Sequence, residues 1–117
     1  MSVKRARVNE RIRTILSELL LREVSDPRLQ GITVTEVSLD SELMYATVYV
    51  NALGDEERED EVMSALKKAG GYLRHEVGQR IRLRNTPELN FRWDKSLAEA
   101  ERINQLLDSL DIPEDEE

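Results

Sequence analysis

Six cations surround a pair of adjacent glycines. Lys67, Lys68 and Arg74 flank Gly70-Gly71, and Arg80, Arg82 and Arg84 follow within the stretch KKAGGYLRHEVGQRIRLR. Fixed positive charge beside bare backbone suits the capture of phosphates. Glycine removes the side chains that block close approach, and the N–H groups at a helix start attract anions. A second basic set, Lys4, Arg5, Arg7, Arg11 and Arg13, lies near the N-terminus. Each feature also has a plainer reading. Cations at a helix end favour the macrodipole whatever they bind, basic N-termini often serve only solubility, and a glycine pair lets a helix bend around a sheet. Taken together, the two blocks favour phosphate contact. Each neutralised phosphate steepens the salt dependence of binding by about 0.7–0.9 in logarithmic slope.

Other chemistry finds little support. His75 is the only histidine and there is no cysteine, so a thiolate nucleophile, a cysteine metal site and a disulfide are all excluded. No nucleotide-binding glycine motif appears. No enzyme, cofactor, metal or small-molecule substrate is expected. Tyr45 and Tyr49 are candidates for stacking on bases, with surface packing as the alternative. Trp93 alternates with Leu89 and Phe91 and is expected in the core. No apolar run approaches the roughly 20 residues of a membrane span, and the N-terminus lacks an apolar signal region. A cytoplasmic protein with no membrane partner is the expectation.

The formal net charge of -7 conceals a segregated pattern. Residues 1–28 carry +3, residues 29–66 carry -8, residues 67–95 carry +5 and residues 96–117 carry -7. Binding follows the local field of a patch, so the two basic blocks matter more than the total. The acidic runs at 55–61 and 114–117 read as a solvated connector and tail, placed to repel unrelated RNA.

These residues need elements to position them. Val8, Ile12, Ile15, Leu16, Leu19 and Leu20 share one helical face over residues 6–24, preceded by a basic arm at 1–5. Ser25-Asp26-Pro27 ends that helix. Residues 32–39 form a strand whose alternation slips at Thr35-Glu36, the mark of a bulge. Met44, Ala46, Val48 and Val50 alternate with polar and aromatic positions in a second strand, paired to the first as a hairpin. A helix from about Glu59 to Lys68 breaks at Ala69-Gly70-Gly71 and resumes to Arg82, since each mid-helix glycine is unfavourable by roughly 1 kcal/mol. Its apolar side includes Ala65, Leu66, Tyr72, Leu73, Val77 and Ile81. Leu89, Phe91 and Trp93 define a third strand. Ser96 and Glu99 form a capping box opening a last helix, with Leu97, Ala100, Ile103, Leu106, Leu107 and Leu110 on its apolar side. The order is α-β-β-α-break-α-β-α. It makes an α+β domain over residues 1–110, with a three-stranded sheet, helices mainly on one face and an acidic tail at 111–117. The second and third strands are parallel, joined by a right-handed crossover.

This arrangement resembles a type II KH domain in which Ala69-Gly70-Gly71 stands where the usual Gly-x-x-Gly loop lies. That tripeptide is similar to the Ala-x-Gly kink of the ribosome-binding factor A family. Further matches follow in order. Asp26-Pro27-Arg28 with ITVTEVSLD resembles the family's first-helix exit and first strand. YATVYVNALG (Tyr45 to Gly54) resembles its second strand, and IRLRNTPELNFRWDKSL (Ile81 to Leu97) its third-strand region. The resemblance covers roughly residues 5–107. It implies a non-enzymatic, bacterial assembly factor that binds the small (30S) ribosomal subunit and assists late 16S rRNA maturation, including 5′-end processing, with a link to growth in the cold. A monomer is expected. Arg5, Arg7, Arg11, Lys67, Lys68, Gly70, Gly71, Arg74, Arg80, Arg82 and Arg84 are the candidate RNA-binding residues. A protein–protein adaptor docking on an acidic partner and a KH-like binder of other RNA are the alternatives.

Overall fold

A computed structural model of the chain describes residues 3–53 and 55–110. The expected tail at 111–117 and the first two residues of the expected arm lie outside the described residues. Three α-helices and three strands follow in order among the described residues: α1 (Val3–Arg22), β1 (Thr33–Leu39), β2 (Tyr45–Asn51), α2 (Glu59–Arg80), β3 (Glu88–Trp93) and α3 (Ser96–Leu110). The sheet order is β1-β2-β3, with β1 antiparallel and β3 parallel to β2. The α+β class, the three-stranded sheet and the parallel crossover through α2 are as the periodicity predicts.

The hairpin turns on Asp40, whose Oδ1 accepts from Met44 N at 2.7 Å and Tyr45 N at 3.0 Å. Those backbone donors hold its carboxyl below the ordinary value, Tyr45 contributing most. The expected bulge is present, with the β1–β2 register shifting between Val34 and Glu36. Thr35, freed from pairing, turns its hydroxyl to the Asp94 carboxylate beyond β3.

Ile12, Leu16 and Leu19 of α1, Val34, Val48 and Val50 of the sheet, and Val62, Leu66, Leu73 and Val77 of α2 make one core. Both helices cover the same face. The opposite face carries Tyr45 and Tyr49, as the alternation predicts, with Tyr45 exposed and Tyr49 half-buried. Trp93 is buried as expected and donates its indole N–H to Glu56 Oε1 at 2.7 Å. Glu56 also accepts from Asn51 Nδ2 at 3.3 Å. The acidic connector is therefore partly structural rather than simply solvated.

Five expectations need correction, the last being the inward placement of Met44 and Tyr72. First, α1 begins at Val3, so Lys4 and Arg5 sit in its first turn and not on an arm. Second, α2 runs unbroken through Ala69-Gly70-Gly71. Val62, Ala65 and Leu66 before the glycines and Leu73 and Val77 after them are buried on one face. Full burial of a Val or Leu side chain is worth roughly 1.5–3 kcal/mol, so these anchors together outweigh the glycine penalty. Third, α2 stops at Arg80, and Ile81 is already extended (φ -135°, ψ 133°). Arg82 and Arg84 lie on a loop, not a helix face. Fourth, α3 buries none of its residues, so the apolar side read from its sequence faces outward. Met44 and Tyr72, both assigned inward, are also exposed.

Candidate nucleic-acid interface

The loop after α2 is held close by a contact that its sequence does not advertise. A Cβ on Gly78 would lie 2.6 Å from Thr86 Oγ1, so any larger residue there would force Thr86 to shift from its place against the helix. Arg74 Nη2 secures the 81–87 segment by donating to Thr86 O at 3.0 Å. Arg82 and Arg84 are thereby presented on a short, anchored loop, exposed and without ion pairs among the described residues.

The candidate cations divide by environment. Arg80 bonds Glu76 and reaches Glu23 Oε2 at 3.0 Å, and Glu23 Oε1 accepts from the Tyr72 hydroxyl at 3.2 Å. The hydrogen bond to Glu76 chiefly raises the Arg80 pKa. Burial and Glu23 together raise that of Tyr72. Arg80 is thus committed to tying the end of α2 to the end of α1. Arg11 Nη2 donates to Arg80 O at 3.4 Å, which places the basic half of α1 beside the end of α2. The two basic blocks, far apart in sequence, meet there. Arg7 is exposed on that part of α1, while Arg13 pairs with Glu10 at 2.9 Å. Arg5 lies two residues before Arg7 and is half-buried.

Lys67 and Lys68 separate. Lys68 stands with Asp26, Ala69 and Tyr72 on one side of α2, where its charge helps lower the Asp26 pKa after the dominant hydrogen bonds from Arg28. Lys67 stands on the other side with Gly70, over a cleft of about 1130 Å³ between α2 and the β3 edge. Met63, Leu89 and Phe91 form its half-buried floor, and Arg92 and Lys95 border it together with Glu59, Asp94 and Glu99, so its rim carries both signs of charge. Gly71 and Arg74 face a third side, with His75 and Gly78. An added Cβ at Gly70 or Gly71 meets no atom within 4 Å, so neither glycine is required by internal packing.

Alternation alone assigns Leu89 and Phe91 to the core. They point to the core side, register-paired with Ala46 and Val48, but α2 leaves them half covered. An edge strand that carries Arg92 and is followed by Lys95 is the available sequence signal for this cleft. The described residues contain no cluster suited to a metal ion. No helix among them is long and apolar enough to cross a membrane.

Unpaired cations along an apolar floor can hold a single-stranded polynucleotide, with phosphates on the rim and a base against Phe91. The sequence matches the family model for ribosome-binding factor A over residues 4–107. The chain is similar to the crystal structure of ribosome-binding factor A from Thermus thermophilus (TM-score 0.67, 31% identity, covering 75% of this chain and 93% of that one). It is also similar to the NMR structure of a Thermotoga maritima protein described as a putative ribosome binding factor A (TM-score 0.71, 33% identity, 82% of this chain and 92% of that one). A third likeness is to the Thermus thermophilus ribosome binding factor A homology model as fitted into the cryo-EM map of its complex with 30S (TM-score 0.61, 30% identity, 74% of this chain and 91% of that one).

Proposed function

This chain belongs to the ribosome-binding factor A family, and from that premise we propose that it binds the small (30S) ribosomal subunit by direct contact with 16S rRNA. Binding assists late maturation of that rRNA, including 5′-end processing, without catalysis by the protein. One observation carries this reading: Lys67, unpaired among the described residues and next to Gly70, overhangs the apolar cleft that Arg92 and Lys95 also border. The fitted 30S complex of the Thermus thermophilus relative supports the choice of subunit.

The mechanism follows from the side chains. A base splayed from a single-stranded segment lies on Phe91 and Leu89, while the flanking phosphates run past Lys67 and Arg92. Gly70 leaves room for the backbone. Arg82, Arg84 and the exposed cations of α1 extend the positive field beyond the cleft. Such contacts favour the rRNA conformation that offers the segment unpaired, and the shift equals the difference in affinity for the two rRNA states. Processing nucleases then meet a correctly folded end. A second helix N-terminus at the glycines plays no part, because α2 is unbroken.

The test is a salt titration with protein-free 16S rRNA, comparing the full chain with Lys67→Gln, Arg82→Gln and Arg84→Gln. Each phosphate contact removed should lower the logarithmic salt slope by about 0.7–0.9. Unchanged binding to naked rRNA, with loss only when ribosomal proteins are present, would instead assign these cations to an acidic protein partner.

A further inference from the structure

The cleft and α3 expose matching surfaces on one chain. Leu97, Ile103, Leu106, Leu107 and Leu110 of α3 are each about half exposed or more, an unusual arrangement for five large apolar residues on one short helix. The cleft floor of Met63, Leu89 and Phe91 is only half covered. Two residues, Asp94 and Lys95, separate β3 from α3.

We propose that α3 is a lid that closes over the α2–β3 cleft when no RNA occupies it. This rests on the assignment of the cleft to RNA, and it adds the competitor for that site. Three observations support the fit. The 15 residues of α3 span about 22 Å at helical rise, and the six of β3 about 20 Å. Folded back along β3, the helix therefore covers the cleft from end to end. The first turn of α3 already borders the cleft through Ser96 and Glu99. The bare surface at Gly70 lets a second helix approach α2 closely, because interaxial distance is set by the side chains at the contact.

The connection decides which helix occupies the cleft. A two-residue link gives α3 an effective concentration of about millimolar or above at its own cleft, ahead of any second copy in dilute solution. Asp94 supplies a fixed pivot: its backbone N–H bonds Val50 O at 2.7 Å, its carboxylate caps Ser96 N at 2.8 Å, and its carbonyl accepts from Asn51 Nδ2 at 2.9 Å. Rotation at Lys95, which releases the Ser96 N–H from the Asp94 carboxylate, then carries the helix over the floor without disturbing the sheet. RNA must displace the lid, so its apparent affinity falls by the fraction of open molecules.

The test uses the full chain and an Ile103→Ser/Leu106→Ser/Leu107→Ser variant, whose altered residues are solvent-exposed in the open arrangement and so leave the fold intact. A soluble paramagnetic agent reports the solvent exposure of the Leu89 and Phe91 side chains by NMR. The lid predicts weaker broadening in the parent chain than in the variant, independent of protein concentration. It also predicts that the variant binds 16S rRNA roughly three- to tenfold tighter. Equal broadening in the two proteins overturns the lid, and so does protection that disappears on dilution, which assigns the covering helix to a second copy. Protection with equal RNA affinity overturns the competition. Protection in a protein that binds no RNA supports the lid and instead sinks the RNA assignment of the cleft.

Discussion

Glycine occurs at three points of α2 for two opposite physical reasons. At Gly70 and Gly71 the added methyl of alanine meets open space, so alanine at either position should stabilise the helix by about 1 kcal/mol. At Gly70, which borders the cleft, the same methyl intrudes on a backbone that follows it, so RNA affinity should fall as stability rises. At Gly78 the methyl strikes Thr86, and overpacking of roughly 1–3 kcal/mol outweighs the gain in helix propensity. Gly78→Ala should therefore lower stability and loosen the Arg82–Arg84 loop. Urea unfolding beside rRNA binding distinguishes the three substitutions. A stabilised Gly78→Ala, or Gly70→Ala with full affinity, contradicts the respective assignment. None of this division is legible locally. Three glycines within nine residues look alike until Thr86 is brought against one of them.

Among the elements, those with strong periodicity are readable from their own residues. β2 alternates cleanly from Tyr45 to Val50, and the slip at Thr35-Glu36 marks a real bulge. The continuity of α2 is not readable in this way, because propensity is local, whereas the anchors that keep the helix whole pack against α1 and the sheet. α3 is readable as an amphipathic helix, but nothing in its sequence says whether its apolar side has a partner within the chain. Its start is held by Asp94, through the Ser96 hydrogen bond and then the Thr35 hydroxyl, and these lower the Asp94 pKa below its ordinary 3.8. A depressed carboxyl contributes stability above its unfolded pKa, lost as pH falls through the folded value. Asp94 and Asp40 should thus leave the urea midpoint unaffected between about pH 5 and 8 and lower it below about pH 4. Asp94→Asn should flatten that acid fall. An equally steep fall in the variant would remove Asp94 as a contributor.

For the molecule as a whole, net charge is a poor guide and the distribution of charge is a good one. The Arg11–Arg80 contact joins the two basic blocks at one end of the helical layer, and Lys67, Arg92 and Lys95 carry positive charge to the cleft. The blocks are visible in the sequence; their meeting point is not, because 69 positions separate the two arginines. The cleft is hidden for a related reason. Whether Leu89 and Phe91 are core or floor depends on how far α2 reaches across the sheet, and no single segment encodes that. Selective recognition of the small subunit, as proposed above, would depend on charge presented on a shaped surface. It is tested most directly by sedimenting the full chain with small subunits, large subunits and assembled ribosomes at moderate and high salt. Co-sedimentation with small subunits alone, lost as salt rises, is the expected result. Equal binding to all three, or binding to none, would contradict it.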